Sequence, residues 1–418
     1  MTGAIGVYSP VASDLQVLVD QLSLRVGAAA LLEDREQRPV AYSRQVGPID
    51  SVRRDSILHR ATSPELMSWF RGFGILSAHR PLRIPSCPEL GILARVCAPA
   101  WYRERLLGFL WLIDPDCEIG DSELSEVEEA AEHAALMLYE DHLAQRLVVQ
   151  ALAHLLSPSE ELREAAASQL ADQSLARDGE PVAVVVVQSL SPAAPLNPTS
   201  HSLPFIEEAL FDVGWEASSG SLLRLACSDH GVLLVRLCSM DDDRRTEVVA
   251  RAAREALARR VSGLVVNGDA PPRVVATIGD PQRELRRAVS SYRQARLATK
   301  VAAAIPTIGD VVRWRDLGVF RALAQLPNRE ALESALDPRV EALLQSGEDE
   351  LVITLETYLD LAGDAKATAE RLHLHRGTLY YRLDKAERLA GIDVRNGYDR
   401  LAVHLGLKLA RLAGNGVS

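Results

Sequence analysis

The side chains best suited to bind another molecule are concentrated near the C-terminus, on two short segments with helical spacing. In the second segment Leu379 and Leu383 lie four residues apart, so both are expected on the inner face of one helix. The other positions at the start of this second segment, together with Lys366 and Thr368 of the first segment, offer imidazole, hydroxyl, phenol and cationic groups. These candidates are Lys366, Thr368, His375, Arg376, Gly377, Thr378, Tyr380, Tyr381, Arg382 and Lys385. A helix of this composition is suited to a DNA major groove, where such groups reach phosphates and base edges.

The chemistry of each side chain indicates a role within this set. His375 and Thr378 are expected to anchor phosphates at the start of the helix. Arg376 and Arg382 are expected to contact guanine edges or phosphates, because a guanidinium fork suits both acceptors. Tyr380 and Tyr381 are expected to contact thymine methyls or phosphates; the alternative is that one of them turns inward toward the helical core, and Tyr381 is the candidate for that role.

A stop-and-restart signal precedes these helices. Gly363 suits the left-handed position that closes one helix, and Asp364 can cap the next one. Two short helices separated by a tight turn, each with an apolar inner face, predict a helix-turn-helix.

Local charge supports a nucleic-acid partner for this segment. Residues 363–413 contain ten basic and six acidic residues, a net +4, whereas the whole chain has a formal net charge of −11. A basic region within an acidic chain is typical of a nucleic-acid-binding module. An alternative remains open, in which these cations solvate a helical hairpin that contacts another protein and has no DNA target.

The run AERLHLHRGTLYYRLDKAERLAGIDV, followed by YDRLAVHLGLKLARL, resembles the C-terminal helix-turn-helix of PucR/CdaR-type bacterial transcription regulators. That family typically has His-Arg-Asn-Thr-Leu-Arg-Tyr-Arg-Leu where this chain has residues 375–383. Gly377 stands in place of the usual asparagine and Tyr380 in place of a frequent arginine. Both departures lie at the outward N-terminal part of the second helix, so they affect the DNA sequence preference and leave the fold intact.

The chain as a whole has the composition of a folded protein with several domains. At 418 residues, 47% hydrophobic and 25% charged, it is long enough for two or three cores. Its apolar runs are too short for a membrane span, and no signal peptide is expected. Five cysteines without a CxxC pair predict reduced thiols, no metal site and no cofactor. A cytoplasmic location follows as an expectation.

The N-terminal part, residues 1–140, is predicted to be an α/β sensor domain. Apolar periodicity gives the order helix (14–26), hairpin (28–42), helical region (51–70), two strands (93–99 and 106–113) and a closing helix. This order resembles a GAF domain. The resemblance implies a small-molecule site between the sheet and its cover, near Trp69, Phe73, Arg95 and Trp101. The alternative for each of these side chains is that it fills the core, since a pocket lining and a core look alike in sequence.

A long helix is predicted from Ser122 to Leu156, with residues 141–178 as a helical linker. Leu124, Val127, Ala131, Ala134 and Leu138 alternate at spacings of three and four, which favours pairing with a second copy. A homodimer or higher self-assembly is therefore expected.

Residues 179–315 are predicted to form a second α/β domain in the order β-α-β-β-α-β, which resembles a degenerate GGDEF-like domain. True GGDEF domains are diguanylate cyclases, and their hairpin needs a glycine-rich apex and magnesium-binding carboxylates. Here the hairpin is Ser228-Asp229-His230-Gly231, so no enzyme activity is expected. Residues 316–418 complete the chain as the helical domain.

Taken together, these features predict a DNA-binding regulator with three folded parts: a GAF-like α/β sensor, a GGDEF-like α/β domain and an all-α helix-turn-helix domain. Its expected partners are double-stranded DNA, a second copy of itself and a small-molecule effector. The competing hypothesis is a sensor or adaptor that uses the helical domain for protein contacts.

Overall fold

The computed structural model describes residues 10–45, 47–59, 62–176, 179–190, 203–216, 222–262 and 272–414. The chain divides into two compact units, Met1–Gln150 and Ala151–Ser418. Among the described residues, no helix combines the length and the apolar character needed to cross a lipid bilayer.

The first unit is an antiparallel sheet covered by helices. Its elements are α1 (Pro10–Val26), β1 (Ala30–Asp34), β2 (Pro39–Tyr42), α2 (Ser51–His59), α3 (Pro64–Arg71), β3 (Leu82–Ile84), β4 (Arg95–Tyr102), β5 (Arg105–Ile113) and α4 (Asp121–Leu155). The strand order is β2-β1-β5-β4-β3. The predicted hairpin, the two later strands and the long helix are confirmed. The helical region predicted for residues 51–70 consists of two helices, because Ser63 and Pro64 start α3 there.

Side-chain alternation along the strands divides the core of this unit in two. Even-numbered strand residues such as Leu32, Val96 and Leu110 pack against α1 and α4. Odd-numbered residues such as Leu31 and Trp111 face the opposite side, which α2 and α3 cover. Both faces of the sheet are therefore buried, and the second face also carries the polar groups described below.

α4 continues past the boundary between the two units. Its 35 residues agree with the predicted long helix to within one residue at each end. Val127, Ala131 and Ala134 are buried in the first unit. Farther along, Leu143 and Leu147 are 46% and 42% exposed, so these two apolar side chains of α4 are accessible to solvent.

The second unit begins with an α/β portion. Its elements are α5 (Glu160–Asp172), β6 (Val182–Leu190), α6 (Leu203–Glu216), β7 (Leu222–Ala226), β8 (Gly231–Arg236), α7 (Asp243–Ser262), β9 (Arg273–Ile278), α8 (Ala288–Ala304) and β10 (Val311–Arg313). The strand order is β10-β9-β6-β8-β7, with only β10 and β9 parallel. From β6 to β9 the order is β-α-β-β-α-β, as predicted, in a ferredoxin-like arrangement.

Residues 182–187 of the central strand β6 are buried without interruption, because helices cover both faces of this sheet. α6 and α7 pack on one face and α8 on the other. α8 passes close to Gly279, where an added Cβ would lie 1.9 Å from the carbonyl oxygen of Ser291. The Ser291 hydroxyl in turn accepts a hydrogen bond of 2.9 Å from the backbone amide of Val184.

Seven helices complete the chain: α9 (Phe320–Leu323), α10 (Arg329–Ser334), α11 (Pro338–Gln345), α12 (Asp349–Asp360), α13 (Ala365–Leu372), α14 (Arg376–Ala390) and α15 (Gly397–Leu412). Leu355, Leu379, Leu383 and Leu407 meet in one apolar core between these helices.

The last helix also reaches the α/β portion. Leu412 packs on the cluster that contains Trp314 and Leu317. Toward α12, the buried Glu356 accepts hydrogen bonds from Lys408 at 2.8 Å and from Arg411 at 2.9 Å. α15 is therefore fixed on both sides within the second unit.

Candidate functional site

Short-range backbone features set the positions of α13 and α14. Gly363 has a φ of +86°, and Asp364 caps α13 by accepting hydrogen bonds from the amides of Lys366 and Ala367. α13 ends at His373, which adopts the left-handed conformation with φ +52°. His375 then caps α14, because its Nδ1 accepts from the amide of Gly377 at 3.2 Å. The predicted pair of helices and its turn are confirmed.

The N-terminal part of α14 is open to solvent. His375, Arg376, Gly377 and Thr378 are all exposed. The Arg376 guanidinium lies 5.5 Å from the centre of the Tyr380 ring, and its Nη2 donates to the Tyr380 hydroxyl at 3.3 Å. This contact holds an arginine in place at the start of the helix, where it can meet a phosphate or a base edge.

Both tyrosines of α14 face outward. The exposed fraction is 46% for Tyr380 and 61% for Tyr381. The prediction that Tyr381 turns inward is therefore wrong. Since Leu379 and Leu383 point to the core, the residue midway between them lies on the opposite side of the helix.

Thr368 is also corrected by the structure. Its side chain is fully buried, and its hydroxyl donates to the carbonyl oxygen of Asp364 at 2.6 Å. A buried hydroxyl with its donor already used cannot reach a DNA strand. Lys366, two residues earlier, is exposed and stays in the candidate set.

Arg382 and Lys385 already have acidic partners within the domain. Arg382 forms an ion pair with Glu350, and the Lys385 ammonium lies 2.6 Å from Glu348. Both acids lie at the start of α12, and the bond to Glu348 raises the pKa of Lys385. These two cations flank the outward face of α14, so a phosphate would compete with Glu348 and Glu350 for them.

One further cation belongs to the outward face and was missed from the sequence. Arg388 is exposed, lies seven residues after Tyr381 and pairs with Asp384. Seven residues are close to two helical turns, so Arg388 continues the face that Tyr381 occupies. This spacing was readable in the sequence.

In the first unit, the four predicted ligand residues do not meet in one place. Trp69 packs edge-to-face on Phe73, whereas the Trp101 indole donates to the carbonyl oxygen of Ala78 at 2.7 Å. Arg95 and Trp101 lie at opposite ends of β4, roughly 20 Å apart along the strand. Arg95 is buried and forms an ion pair with Asp50. Of the four, only Arg95 joins a buried polar cluster, whose members Glu33, Asp50 and Arg53 were not predicted.

The hairpin between β7 and β8 carries a closed side-chain network. Asp229 lies 2.6 Å from His230 Nδ1 and 3.1 Å from Arg296, and His230 Nε2 lies 2.9 Å from the Tyr292 hydroxyl. The bonds from His230 and Arg296 lower the pKa of Asp229 against the opposing effect of its partial burial. The Asp229 carboxylate is therefore bonded to side chains of its own domain.

Comparison with known proteins identifies the C-terminal helices. Residues 351–409 match the family model of the PucR C-terminal helix-turn-helix domain. The chain is 23% identical over 424 residues to the proline-responsive transcriptional activator PutR of Bacillus subtilis (strain 168), covering 96% of this chain and 97% of that protein. It is 20% identical over 422 residues to the DNA-binding transcriptional activator AdeR of the same organism, with coverages of 95% and 93%. A shorter match, 35% identical over 68 residues, links 16% of this chain to 13% of the purine catabolism regulatory protein of that organism.

The exposed α14 and this family match define residues 351–409 as a helix-turn-helix DNA-binding domain. Full-length similarity to two transcriptional activators extends the conclusion beyond that domain. The chain is a DNA-binding transcriptional regulator with a PucR-type C-terminal helix-turn-helix domain.

Proposed function

We propose that the protein is a sequence-specific regulator whose helix α14 enters the DNA major groove. The observation that carries this proposal is the open N-terminal part of α14, where Arg376, Tyr380 and Tyr381 are all exposed and Arg376 contacts Tyr380. His375, Thr378 and Lys366 border that surface and are suited to hold phosphates, while Arg376 reads a guanine edge or a phosphate. Gly377 leaves space for a base or sugar beside His375.

The rest of the chain serves this domain as sensor and connector. We propose that residues 1–140 form a GAF-like sensor, residues 141–178 a helical linker, residues 179–315 a GGDEF-like domain without enzyme activity, and residues 316–418 the helical DNA-binding domain. The bonded Asp229 supports the absence of nucleotide cyclisation, because its oxygens are held by His230 and Arg296. As a DNA-binding regulator, the protein is expected to act in the cytoplasm.

Two further features belong to this function. The exposed leucines of α4 favour a homodimer, and two DNA modules would then read half-sites about one helical turn, roughly 34 Å, or a multiple of it apart. One relative is described as proline-responsive and both full-length relatives as activators. We propose by analogy that this protein activates transcription in response to a small-molecule effector.

The test is selection of genomic fragments by the purified full-length protein, with Arg376→Ala as the variant. Arg329→Ala removes an exposed arginine of α10 and serves as the matched control. Wild type and control are expected to enrich a discrete, two-fold-related site, and Arg376→Ala is expected to lose it while keeping its fold. Equal enrichment by Arg376→Ala would refute the assigned role of α14. Failure of all three proteins, with and without added amino acids, would favour the hypothesis that the helical domain contacts proteins.

A further inference from the structure

The buried face of the first sheet contains two oppositely charged side chains that are near each other but form no direct ion pair. Arg53 of α2 is 1% exposed and Glu33 of β1 is 4% exposed. Within the described part of the chain, neither forms an ion pair. Nearby, Arg95 and Asp50 do form a buried pair, so the same site shows both a matched and an unmatched arrangement.

The Arg53 guanidinium is satisfied only in part. Its Nη1 and Nη2 donate to the carbonyl oxygens of Ala29 at 3.5 Å and Trp111 at 3.2 Å. Its Nε is buried and has no acceptor among the described residues. A buried guanidinium without a directly bonded carboxylate is costly, because the nearby charges of Glu33 and Asp50 compensate its desolvation only in part. The free Nε–H is one side of the fork that binds carboxylates with two parallel hydrogen bonds.

In the part of the molecule that the structure describes, the acidic side of the cluster has only neutral hydrogen-bond donors. Glu33 accepts from the Trp111 indole at 2.8 Å and from the Thr62 hydroxyl at 3.4 Å, and both donors are neutral. The backbone carbonyl oxygen of Gln37 also accepts from Thr62. The side-chain Oε1 of Gln37 is buried and has no donor among the described residues. Burial raises the pKa of Glu33 to about 7, and the nearby charge of Arg53 offsets this only in part. A cationic donor between Glu33 and Gln37 would satisfy both groups.

We propose that this cluster is the effector site and that its ligand is a small zwitterion of the α-amino acid type. The ligand carboxylate binds Arg53, and its ammonium group binds Glu33 and the Oε1 of Gln37. Each of these two side chains then gains a directly bonded ionic partner from one molecule. This inference rests on the proposed function, since it gives the sensor its ligand class.

The surroundings also define the ligand side chain. Phe70 of α3 and Trp111 of β5 have ring centres 4.7 Å apart, and Arg95 lies over the Phe70 ring at 5.3 Å. This aromatic pair favours an apolar side chain of modest size. Because Arg53 and Phe70 come from the two helices that cover the sheet, ligand access requires this cover to open. Binding therefore changes the position of α2 and α3, which provides the signal.

The experiment uses the full-length protein and the twenty proteinogenic amino acids, each added singly, with thermal unfolding and calorimetric titration as measurements. At least one amino acid is expected to bind. Affinity for it should fall about tenfold or more in Arg53→Gln and in Glu33→Gln, because each change leaves one end of the zwitterion unbonded. Arg25→Gln, which alters an exposed pair in the same unit, should bind as wild type does.

A measurement that needs no variant covers the case in which a substitution prevents folding. For the amino acid that binds, the matching decarboxylated amine and N-acetylated acid are titrated into wild type, and neither is expected to bind. Binding of either analogue with unchanged affinity, or of none of the amino acids, overturns the proposal. If the protein enriches DNA fragments but binds no amino acid, the ligand site is refuted and the proposed function stands. If it binds an amino acid but enriches no DNA, the proposed function is refuted and the ligand site stands.

Discussion

The acidic start of α12 should weaken DNA binding, and the double substitution Glu348→Gln with Glu350→Gln tests this. Arg382 and Lys385 can neutralise phosphates only if they give up Glu350 and Glu348. The substitution removes both acceptor charges and keeps the shape of the side chains.

The structure sets the expected size of the effect. Exposed ion pairs contribute roughly 0.2–1 kcal/mol each, so two of them oppose DNA binding by about 0.4–2 kcal/mol. Removing that cost should raise affinity roughly 2- to 30-fold at fixed salt. Two more cations that neutralise phosphates should steepen the plot of log affinity against log salt by up to about 1.8.

The assay is fluorescence anisotropy with the selected DNA site over a series of salt concentrations. Glu330→Gln with Glu333→Gln removes two acids from α10 and controls for overall charge. Thermal unfolding checks that the α12 variant stays folded, since acids in the first turn of a helix also stabilise it. The reasoning would be refuted if the α12 variant bound no more tightly than the α10 control and showed the same salt slope.

Three other predictions follow from separate parts of the molecule. Glu33, with a pKa raised from 4.5 to about 7, destabilises the first unit by about 3 kcal/mol as pH rises through that interval. Glu33→Gln should remove this loss in thermal unfolding across the same pH range, and an unchanged pH profile would contradict it. Gly279→Ala should destabilise the second unit by roughly 1–3 kcal/mol or more in denaturant unfolding because its Cβ would overlap the backbone of Ser291, whereas Gly397→Ala meets no neighbouring atom and should cost little. Inserting or deleting residues within 140–156 should leave DNA binding intact and abolish the effector response in a transcription reporter; a normal response would rule out signal transfer through this helix.

The features that were predictable from sequence are those that depend on local chemistry. Gly363 and Asp364 define a helix end and a helix start by their own backbone and side-chain preferences, and the structure confirms both. The long helix was readable because its apolar spacing is continuous in the chain. The error at Tyr381 was avoidable, since the inward direction of Leu379 and Leu383 already places that residue outside.

The features that were not predictable depend on residues that are distant in sequence. The partners of Arg382 and Lys385 come from a helix more than thirty residues earlier and are brought close only by packing. In the first unit, Glu33 lies on β1, whereas Asp50 and Arg53 lie at the start of α2, and nothing in their local sequence shows that they are buried together with Glu33. Aromatic residues such as Trp101 stand out more in the sequence than these charged residues do. The Trp101 indole, however, holds a loop through its hydrogen bond to the carbonyl oxygen of Ala78.

The dual packing of α15 limits how this protein can be divided or recombined. Family boundaries end the DNA-binding domain at residue 409, but Leu412 is part of the apolar cluster around Trp314 in the preceding α/β portion. A chimera that joined only residues 351–409 to a foreign sensor would lack both Leu412 and that cluster, and its final helix would lose the contacts on this side. Exchange of DNA specificity between such regulators should therefore preserve the α15 contact surface, or transplant the α/β portion together with the helices. Evolution of new sensor combinations faces the same constraint, and the natural place for a crossover is the exposed part of α4.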